Sequence, residues 1–184
     1  MGKLPPQAKP VFTGEIFTVY QWQQELFDGS YATFEMLQRP DTVQVITIVD
    51  DMILLNEEEQ PHKGTFLTLP GGRRDLSDTT ARDAAKRELR EETGYTSDHW
   101  ETLFTWEPYN KMAWTMHCFI AKQAYKDTEP HLDPGEKITT RLVSFEEFIT
   151  IASSKEFQAK ELKEEILRMR LDPQQLAEFK NNLF

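Results

Sequence analysis

The sequence is poor in the features that mark secreted, membrane or nucleic-acid-binding proteins. It has one cysteine among 184 residues, so no disulfide can form within the chain. Its 31 acidic and 21 basic residues give a net charge of −10, which argues against a general nucleic-acid binder. No apolar run is long enough to span a bilayer, and no basic-then-apolar leader opens the chain. We therefore expect a cytoplasmic protein with neither a membrane nor a nucleic acid as partner.

What the chain does contain is a globular composition at the length of one domain. Hydrophobic residues make up 39% and aromatic residues 11% of the chain, which excludes a disordered protein and allows one sizeable core. The one cysteine, Cys118, lies in an apolar run typical of a strand. We interpret it as a buried structural thiol and not as a nucleophile.

The N-terminal part predicts a loose leader and then a β-hairpin. Residues 1–14 contain three prolines and little apolar periodicity, which is typical of an unanchored end. Residues 15–40 alternate and are rich in β-branched and aromatic residues on both sides of Asp28-Gly29, a hairpin signal. A hairpin alone is marginal, so it needs a surface to pack on, either its own domain or a partner subunit.

Residues 41–152 predict the central domain. Residues 42–49 are almost continuously β-branched, as expected of a strand covered on both faces. Residues 56–64 are polar and acidic and predict a loop. Residues 122–137 predict a longer polar loop, of a kind that often carries function.

Residues 153–184 predict C-terminal helices. Before them, Ser144 has the spacing of a capping box and starts a short helix. A charged amphipathic helix is predicted over residues 155–169, and Pro173 begins a last one. The first half of the chain is rich in predicted strands, and predicted strands and helices alternate after the central helix. This order favours an α/β fold with a mixed sheet and helices on both faces.

The most informative stretch is residues 69–95, LPGGRRDLSDTTARDAAKRELREETGY. It opens with a Pro-Gly-Gly turn, which glycine permits because it tolerates positive φ. A helix follows, with Asp78, Thr79 or Thr80 as its N-cap and Gly94 just past its end.

Three carboxylates share one face of this helix. At about 100° per residue, Glu88, Glu91 and Glu92 fall within an arc of about 100° that also carries small alanines. Such like charges repel unless a cation neutralises them, and hard oxygen ligands select Mg²⁺ or Mn²⁺ over zinc. The simpler alternative is a solvated helix with an Arg87–Glu91 ion pair. The Gly-Gly turn directly before the helix argues against that alternative.

The turn and helix together resemble the Nudix hydrolase signature: a Gly, five residues, Glu, seven residues, then Arg-Glu-x-x-Glu-Glu-x-Gly. The second half is complete from Arg87 to Gly94, with Tyr95 at the closing apolar position. The first half departs, because Asp78 stands where Glu is expected and eight residues separate it from Arg87. One extra loop residue or a shifted register accounts for this and leaves the role of Asp78 open. The resemblance implies the Nudix α/β/α sandwich.

Nudix hydrolases, as a family, cleave nucleoside diphosphates linked to another group, using metal-activated water to attack phosphorus. At the matching positions the resemblance implies Glu88, Glu91 and Glu92 as metal ligands, with Arg87 orienting them by ion pairing. A backbone carbonyl near Gly72 is expected to add a ligand, since glycine lets the backbone approach closely. The expected ion is Mg²⁺, with Mn²⁺ as the alternative.

The catalytic base is harder to assign. Within the family it is a glutamate of the signature helix or an acid on a distal loop. We choose Glu136 on the long polar loop, with Glu129 and Asp133 behind it, and a solvated loop glutamate as the alternative. The expected catalytic residues are then Glu91, Arg87 and Glu136.

Candidates for substrate binding are arginines and aromatic residues. Arg73 and Arg74 are placed to meet phosphate oxygens, with solvated loop arginines as the alternative, and Arg39 contacts phosphate or pairs with a nearby acid. Four aromatic residues are candidates for stacking on a base, each with a core role as the alternative: Trp22, Trp106, Tyr109 and Trp114. We select Trp106 and Tyr109.

Residues 15–150 also resemble the ADP-sugar pyrophosphatase branch of the family. The features are the N-terminal hairpin, Arg39 before the buried strand, and FLTLPGG after Pro61. In that branch the N-terminal strands commonly exchange across a homodimer and help hold the nucleotide, so we expect a homodimer. Where the branch usually has Gln and Arg, this chain has three glutamates at residues 57–59, which we expect to repel phosphate.

The leading interpretation is a Mg²⁺-dependent pyrophosphatase of a nucleoside diphosphate sugar. A pyrophosphatase of (d)NTPs is the enzymatic alternative, which the extended N-terminal hairpin argues against. A Nudix-like nucleotide sensor without catalysis is the alternative from another class, and the intact Arg-Glu-x-x-Glu-Glu run argues against it.

Overall fold

The computed structural model describes residues 4–184, which form twelve strands and four helices. The strands are β1 (Lys9–Thr13), β2 (Thr18–Glu25), β3 (Tyr31–Gln38), β4 (Thr42–Val49), β5 (Met52–Gln60), β6 (Gly64–Thr68), β7 (Tyr95–Thr96), β8 (His99–Trp106), β9 (Met112–Ala113), β10 (Met116–Lys122), β11 (Tyr125–Lys126) and β12 (Lys137–Val143). The helices are α1 (Ala81–Thr93), α2 (Phe145–Ala152), α3 (Lys160–Met169) and α4 (Pro173–Leu183).

The central sheet has the strand order β12-β5-β4-β10-β8, and β6 pairs with β5. β4 and β10 run parallel, whereas the other neighbours in this sheet run antiparallel. β4 occupies the middle because its sequence, TVQVITIV, is β-branched at all positions but one and is buried almost throughout.

Helices cover both faces of this sheet. On one face, Val43 and Val45 of β4 pack against Ala84, Ala85 and Leu89 of α1. The core on the other face joins the sheet to the three C-terminal helices and includes Ile46, Leu55, Phe148, Leu162 and Leu183. The predicted α/β/α sandwich with a mixed sheet is confirmed.

The N-terminal residues form a second sheet, with the strand order β1-β2-β3-β9. The predicted hairpin is present: β2 and β3 are antiparallel, and Gly29 adopts a φ of 82° in the turn between them. The hairpin packs on its own domain, because β3 pairs with β9 and because Trp22 and Met36 pack against Ala113.

The prediction of a loose leader over residues 1–14 is wrong for Lys9–Thr13, which form β1. This strand pairs antiparallel with β2, and the pairing gives hydrogen-bond partners to backbone groups along the edge of β2. Its Pro10 is compatible with an edge strand, where proline is tolerated. Residues 1–3 of the predicted leader lie outside the described residues. The proposed domain boundaries at residues 15, 41 and 153 stay predictions.

The prediction of a loop over residues 56–64 is also wrong. β5 continues to Gln60 and β6 begins at Gly64, so a tight turn joins two paired strands. Pairing with β12 on one side and β6 on the other satisfies the backbone of the acidic run, and this outweighs the low β-propensity of glutamate.

The C-terminal helices follow the prediction in part. α3 begins at Lys160 and not near residue 155, because Phe157 bridges to Leu67 and the Gln158 N–H donates to the Leu67 carbonyl at 2.9 Å. Ser144 caps α2 and Pro173 begins α4, both as predicted, and Asp172 is the N-cap of α4. Among the described residues, no helix is both long and apolar enough to cross a membrane.

Cys118 is fully buried on β10, within the core beneath the C-terminal helices. Burial raises the pKa of its thiol to about 12, so the thiolate does not form at neutral pH. The prediction of a buried structural thiol is confirmed.

Candidate active site

The Pro-Gly-Gly turn brings α1 against the sheet at a point without room for side chains. Gly71 has a φ of 151°, and a Cβ there would lie 2.1 Å from the carbonyl oxygen of Val43. A Cβ on Gly72 would lie 2.6 Å from Oε1 of Glu88. The carbonyl of Gly72, predicted to contact a metal ion, accepts a hydrogen bond from Val43 N at 2.9 Å, which directs it toward β4. Both glycines are therefore needed for the close approach of backbone and carboxylate.

The ends of α1 are fixed by its sequence. Of the three predicted N-caps, Thr80 is the one observed: its side chain accepts from Asp83 N, and the Asp83 side chain accepts from Thr80 N. This reciprocal pair is a capping box. Gly94 ends the helix in the left-handed conformation, with a φ of 71°.

Arg87 organises the acidic face of α1. Its guanidinium donates to Oε1 of Glu88 at 3.0 Å and to Oε2 of Glu91 at 2.9 Å. It also donates to both carboxylate oxygens of Asp78, at 3.2 and 3.0 Å, and to the carbonyl of Arg73 at 2.9 Å. These contacts, that with Asp78 above all, raise the pKa of Arg87, so one permanent cation holds three acids together.

Asp78 is the acid whose role the incomplete first half of the signature left open. Its side chain is only 6% exposed, and it accepts a third hydrogen bond from Asp75 N at 2.8 Å. Hydrogen bonding from Arg87 lowers the pKa of Asp78. The departure from the signature spacing therefore leaves an ionised acid in contact with the signature arginine.

The three signature glutamates differ in exposure. The Glu91 side chain is 48% exposed, the Glu88 side chain 14%, and Glu92 only 6%. Oε2 of Glu92 accepts hydrogen bonds from Gly71 N and from Asn56 Nδ2, both at 2.9 Å. Burial raises the pKa of Glu88 to about 7 and raises that of Glu92 well above its ordinary value. Both positions therefore favour a bound proton or a bound cation.

Two residues of β5 join this cluster without having been predicted. Asn56 is fully buried and Glu58 is 7% exposed, whereas Glu57 and Glu59 are exposed. This follows from the alternation of side chains along a strand. Burial raises the pKa of Glu58 to about 7, and its charge repels that of Glu92. The alternation of side chains would have predicted a buried Glu58 if residues 52–60 had been recognised as one strand.

Glu136, the predicted base, lies close enough to the cluster for its charge to act on Glu58, Glu88 and Glu92. Burial raises its own pKa. The loop that carries it is tied to the end of α1, where His131 N donates to the backbone of the helix at 2.6 Å. The structure thus brings an acid from a distant part of the chain to the signature helix.

A cavity of 810 Å³ has Asp78 in its wall, whereas the signature glutamates do not line it. Its walls come from residues 14–16 and 18 around the start of β2, and from residues 38–41, 73–76, 78, 107 and 113–115. Asp78 belongs both to this wall and to the network around Arg87, so the cavity and the acidic face of α1 adjoin. The run of glutamates at 57–59 is not among the lining residues, so the expected repulsion of phosphate by these residues stays a prediction.

The predicted arginines line the cavity but differ in their contacts. Arg39 lies against two rings, with Cζ 4.9 Å from the centroid of Trp114 and 5.8 Å from that of Phe17. Its Nε is buried and has no hydrogen-bond partner among residues 4–184. Burial, and then repulsion by Arg73, lower the pKa of Arg39. Arg74 instead donates hydrogen bonds to the backbone carbonyls of Asp78 and Thr79 in the loop before α1, the shortest of them 2.8 Å long.

The predicted aromatic candidates divide between cavity and core. Trp114 lines the cavity, and Tyr109 stacks on it with ring centroids 5.9 Å apart and planes 13° apart. Trp106 packs against Phe104 and the core beneath the C-terminal helices, and Trp22 is buried within the N-terminal sheet. The structure therefore does not support Trp106 as a substrate-binding residue, because its ring belongs to the core.

The donors of the cluster fit a hard divalent cation. The donors are carboxylate oxygens, and no cysteine or histidine side chain is among them. Such a set favours Mg²⁺ or Mn²⁺. Within the described part of the chain, however, no three acidic, histidine or cysteine side chains converge closely enough to form a ready-made metal cage. Their oxygens are held by Arg87, Asn56 and Gly71 instead.

Comparison with known proteins agrees with this geometry. The profile of the NUDIX domain matches residues 38–169. The chain is 24% identical to the "ADP-ribose pyrophosphatase" of Bacillus subtilis (strain 168) over 152 residues, which cover 79% of this chain and 80% of that protein. It is 26% identical to the "Methanol dehydrogenase activator" of Bacillus methanolicus over 144 residues, which cover 74% and 77%. A solved structure described as "Crystal structure of ADP compounds hydrolase" matches with a TM-score of 0.72 at 21% identity, covering 92% of this chain and 94% of that one.

An α/β/α sandwich whose Gly-Gly turn leads into an arginine-organised acidic helix defines a Nudix-type hydrolase. The chain belongs to the NUDIX domain family, because the matched segment spans well over half of it, and it is a Nudix hydrolase. The predicted resemblance to the ADP-ribose pyrophosphatase branch is confirmed by the Bacillus subtilis relative, and the solved structure shares the fold. Nudix hydrolases generally use divalent metal ions, in accord with the donor set.

Replacing Asp78 with Asn is expected to destabilise the protein by about 2 kcal/mol, because Arg87 then loses its most buried charged partner and keeps only Glu88 and Glu91 as hydrogen-bonded acids. Urea unfolding at pH 7 measures this loss. The folded-state pKa of Asp78 lies below its ordinary value of 3.8, so its contribution is fully present above that pH and is lost as the pH falls through the folded-state pKa.

The matched control is Asp75→Asn, which removes only a 3.8 Å contact between Arg87 and a 62% exposed side chain. It should change the unfolding free energy by less than about 0.5 kcal/mol. Equal stability of Asp78→Asn and the unmodified protein at pH 7 would contradict the structural role assigned to Asp78.

Proposed function

We propose that the chain hydrolyses the diphosphate linkage of a nucleoside diphosphate sugar of the ADP-ribose type, with Mg²⁺, and releases a nucleoside monophosphate and a sugar phosphate. The observation that carries this proposal is the adjacency of the carboxylate cluster and the arginine-lined cavity, which share Asp78. The names of two relatives, an ADP-ribose pyrophosphatase and an ADP compounds hydrolase, support the substrate class.

The acidic face of α1 supplies the cation site. Glu88, Glu91 and Glu92 are the proposed ligands of Mg²⁺, or of Mn²⁺ in its place, and Arg87 holds two of them in position. When bound, such a cation lowers the pKa of water and offsets the negative charge that develops on the diphosphate. Glu136 is the proposed base: it accepts a proton from the water that attacks phosphorus, as the bridging P–O bond breaks. Burial raises the pKa of its carboxyl group, which makes its carboxylate a stronger base than that of an exposed glutamate.

The cavity supplies the phosphate contacts. Arg39 and Arg73 approach one another closely enough to repel, an arrangement that a bound anion would relieve. The buried Nε of Arg39 is a donor for which a phosphate oxygen is a suitable acceptor. Two aromatic candidates remain for contact with the base or sugar: Trp114, which lines the cavity, and Tyr109, which stacks on it and is 42% exposed.

The N-terminal sheet favours an extended substrate over a nucleoside triphosphate. Gly14, Glu15, Ile16 and Thr18 line the cavity, so the hairpin extension forms part of the binding surface. The cavity of 810 Å³ lies within the range of about 300–1,000 Å³ typical of small-molecule and cofactor sites. The proposed partner is thus a nucleotide-type small molecule. A cytoplasmic location also stays a prediction, which rests on the single buried thiol.

The substrate class is tested by phosphate release in a coupled phosphatase assay with Mg²⁺. The panel holds ADP-ribose, ADP-glucose, GDP-mannose, UDP-glucose, dinucleoside polyphosphates and the (d)NTPs. We expect turnover of diphosphate sugars, with ADP-ribose among them, and dependence on the added cation. Turnover confined to (d)NTPs would favour the alternative pyrophosphatase. No turnover, with ligands that still raise the melting temperature, would favour the sensor.

Two glutamine variants control the metal assignment. Glu91→Gln and Glu92→Gln keep the side-chain shape and should each remove most activity while the protein stays folded. Glu57→Gln, on the exposed side of β5, should keep full activity. Retained activity in both helix variants would remove the cluster from the reaction.

We also propose a homodimer formed through the N-terminal sheet. β1 exposes Val11 and Phe12 at 53% and 61%, and Phe27 is fully exposed at the hairpin turn. Exposed apolar side chains grouped on one sheet favour a protein interface.

Light scattering at micromolar protein is expected to give twice the mass of the 184-residue chain. The double variant Val11→Asp/Phe12→Asp should shift the protein toward the monomer, whereas Leu171→Asp, at an exposed apolar residue of the C-terminal part, should not. A monomer mass for the unmodified protein would refute the dimer.

A further inference from the structure

The guanidinium of Arg39 is held in the cavity wall by aromatic rings. Its Cζ lies 4.9 Å from the centroid of the Trp114 ring and 5.8 Å from that of the Phe17 ring. Its Nε is buried and has no hydrogen-bond partner among residues 4–184. A cation over a ring face is attracted without being neutralised. The direction in which Arg39 points therefore depends on where these rings are placed.

The indole of Trp114 is fixed by contacts of its own. Its Nε1 donates a hydrogen bond to Oγ1 of Thr42 at 3.1 Å, and Thr42 is only 9% exposed. The ring of Tyr109 stacks on the indole, with centroids 5.9 Å apart. Because a hydrogen bond and a stacking contact constrain the same side chain, Trp114 presents one orientation to Arg39.

The carboxylate of Asp41 holds the backbone directly after Trp114. Its Oδ1 accepts a hydrogen bond from Thr115 N at 2.9 Å. The carbonyl of Thr115 in turn accepts from Thr42 N at 3.0 Å. Both backbone polar groups of Thr115 are thus bonded to the segment that leads into β4. A carboxylate acceptor makes a stronger hydrogen bond than a neutral one, so Asp41 is the principal anchor of this part of the wall.

The same segment holds a second part of the cavity wall. The carbonyl of Asp41 accepts a hydrogen bond from Arg74 N at 2.8 Å, and Thr42 pairs with Arg73 through an isolated β-bridge. Asp41, Arg39 and Arg73 all line the cavity. Asp41 therefore connects, through its side chain and its backbone, the two parts of the wall that carry the mutually repelling arginines.

We infer that Asp41 is a positioning residue for the phosphate contact of Arg39. Its carboxylate holds Thr115, the adjoining indole of Trp114 is thereby kept in place, and the indole orients the guanidinium. Asp41 acts in this way without contacting the substrate. The inference deepens the proposed function and rests on it, because it names what orients an arginine that the proposal assigns to the diphosphate.

The test is calorimetric titration of the full chain with inorganic pyrophosphate and Mg²⁺, a probe that carries the anion without base or sugar. Asp41→Ala is expected to weaken binding about fivefold, since Thr115 N loses its acceptor. Asp41→Asn keeps a side-chain oxygen for Thr115 N and should bind within about twofold of the unmodified protein. The matched control, Asp127→Ala, removes a carboxylate that pairs with Arg90 at 2.8 Å and should leave pyrophosphate binding unchanged.

A double variant separates positioning from direct contact. If Asp41 acts through Arg39, Asp41→Ala/Arg39→Gln should bind pyrophosphate no more weakly than Arg39→Gln alone. With a substrate that is turned over, Asp41→Ala should raise KM with little change in kcat, because only binding is weakened. Thr42→Val removes the acceptor of the Trp114 indole and should also weaken pyrophosphate binding, and it replaces Asp41→Ala if that variant does not fold.

Unchanged pyrophosphate affinity in Asp41→Ala, or in Thr42→Val where it is the substitute, would overturn the inference. Equal losses in Asp41→Ala and Asp41→Asn would overturn it too, because the hydrogen bond to Thr115 would then not be the cause. So would additive losses in the double variant, since Asp41 would then act independently of Arg39. Pyrophosphate binding that depends on both residues, without turnover of any diphosphate sugar, rejects the proposed function alone, whereas turnover with Asp41-independent binding rejects this inference alone.

Discussion

The structure depends on one ionic constraint, the placement of several like charges on one face of α1. Arg87 makes this arrangement possible because a single planar guanidinium donates to Asp78, Glu88 and Glu91 at once. Asp78 in turn fixes the loop that leads from the Gly-Gly turn to the helix. Without this cation the acids would repel one another, and the chain could not present several glutamates to one small volume.

Two arginines in the cavity wall show the opposite arrangement, in which like positive charges lie close together. The acids on α1 have a protein cation, whereas Arg39 and Arg73 face the adjoining cavity and repel one another. Aromatic rings hold Arg39 in place where a carboxylate would have neutralised it. Excess negative charge in the cluster suits a cation, and the mutually repelling Arg39 and Arg73 in the cavity wall suit a phosphate. One substrate that carries a metal-bound diphosphate would satisfy both.

The sequence was sufficient to predict those parts of the structure that short-range residue patterns determine. Helix α1, its cap at Gly94 and its three glutamates follow from short-range spacing, and the family resemblance follows from the same residues. Glu58 was not predicted, because an unbroken run of glutamates hides the alternation that buries one of them. The strand β1 was likewise missed, and for Trp106 the core alternative was not the one selected, since both depend on pairing and packing with distant residues. The sequence offered the approach of Glu136 to the signature helix only as a hypothesis about a long loop. The hydrogen bond that holds this loop against α1 is a tertiary contact, which no local pattern predicts.

The central claim is that the carboxylate cluster and the arginine-lined cavity act on one substrate. It is tested most directly by calorimetric binding of the uncleavable α,β-methylene analogue of ADP-ribose, with Mg²⁺ and with a chelator. The account predicts affinity at least about tenfold higher with Mg²⁺, a gain that is lost in Glu92→Gln, and weaker binding in Arg39→Gln under both conditions. Equal affinity with Mg²⁺ and with chelator in the unmodified protein would show that the two charged regions do not share a ligand.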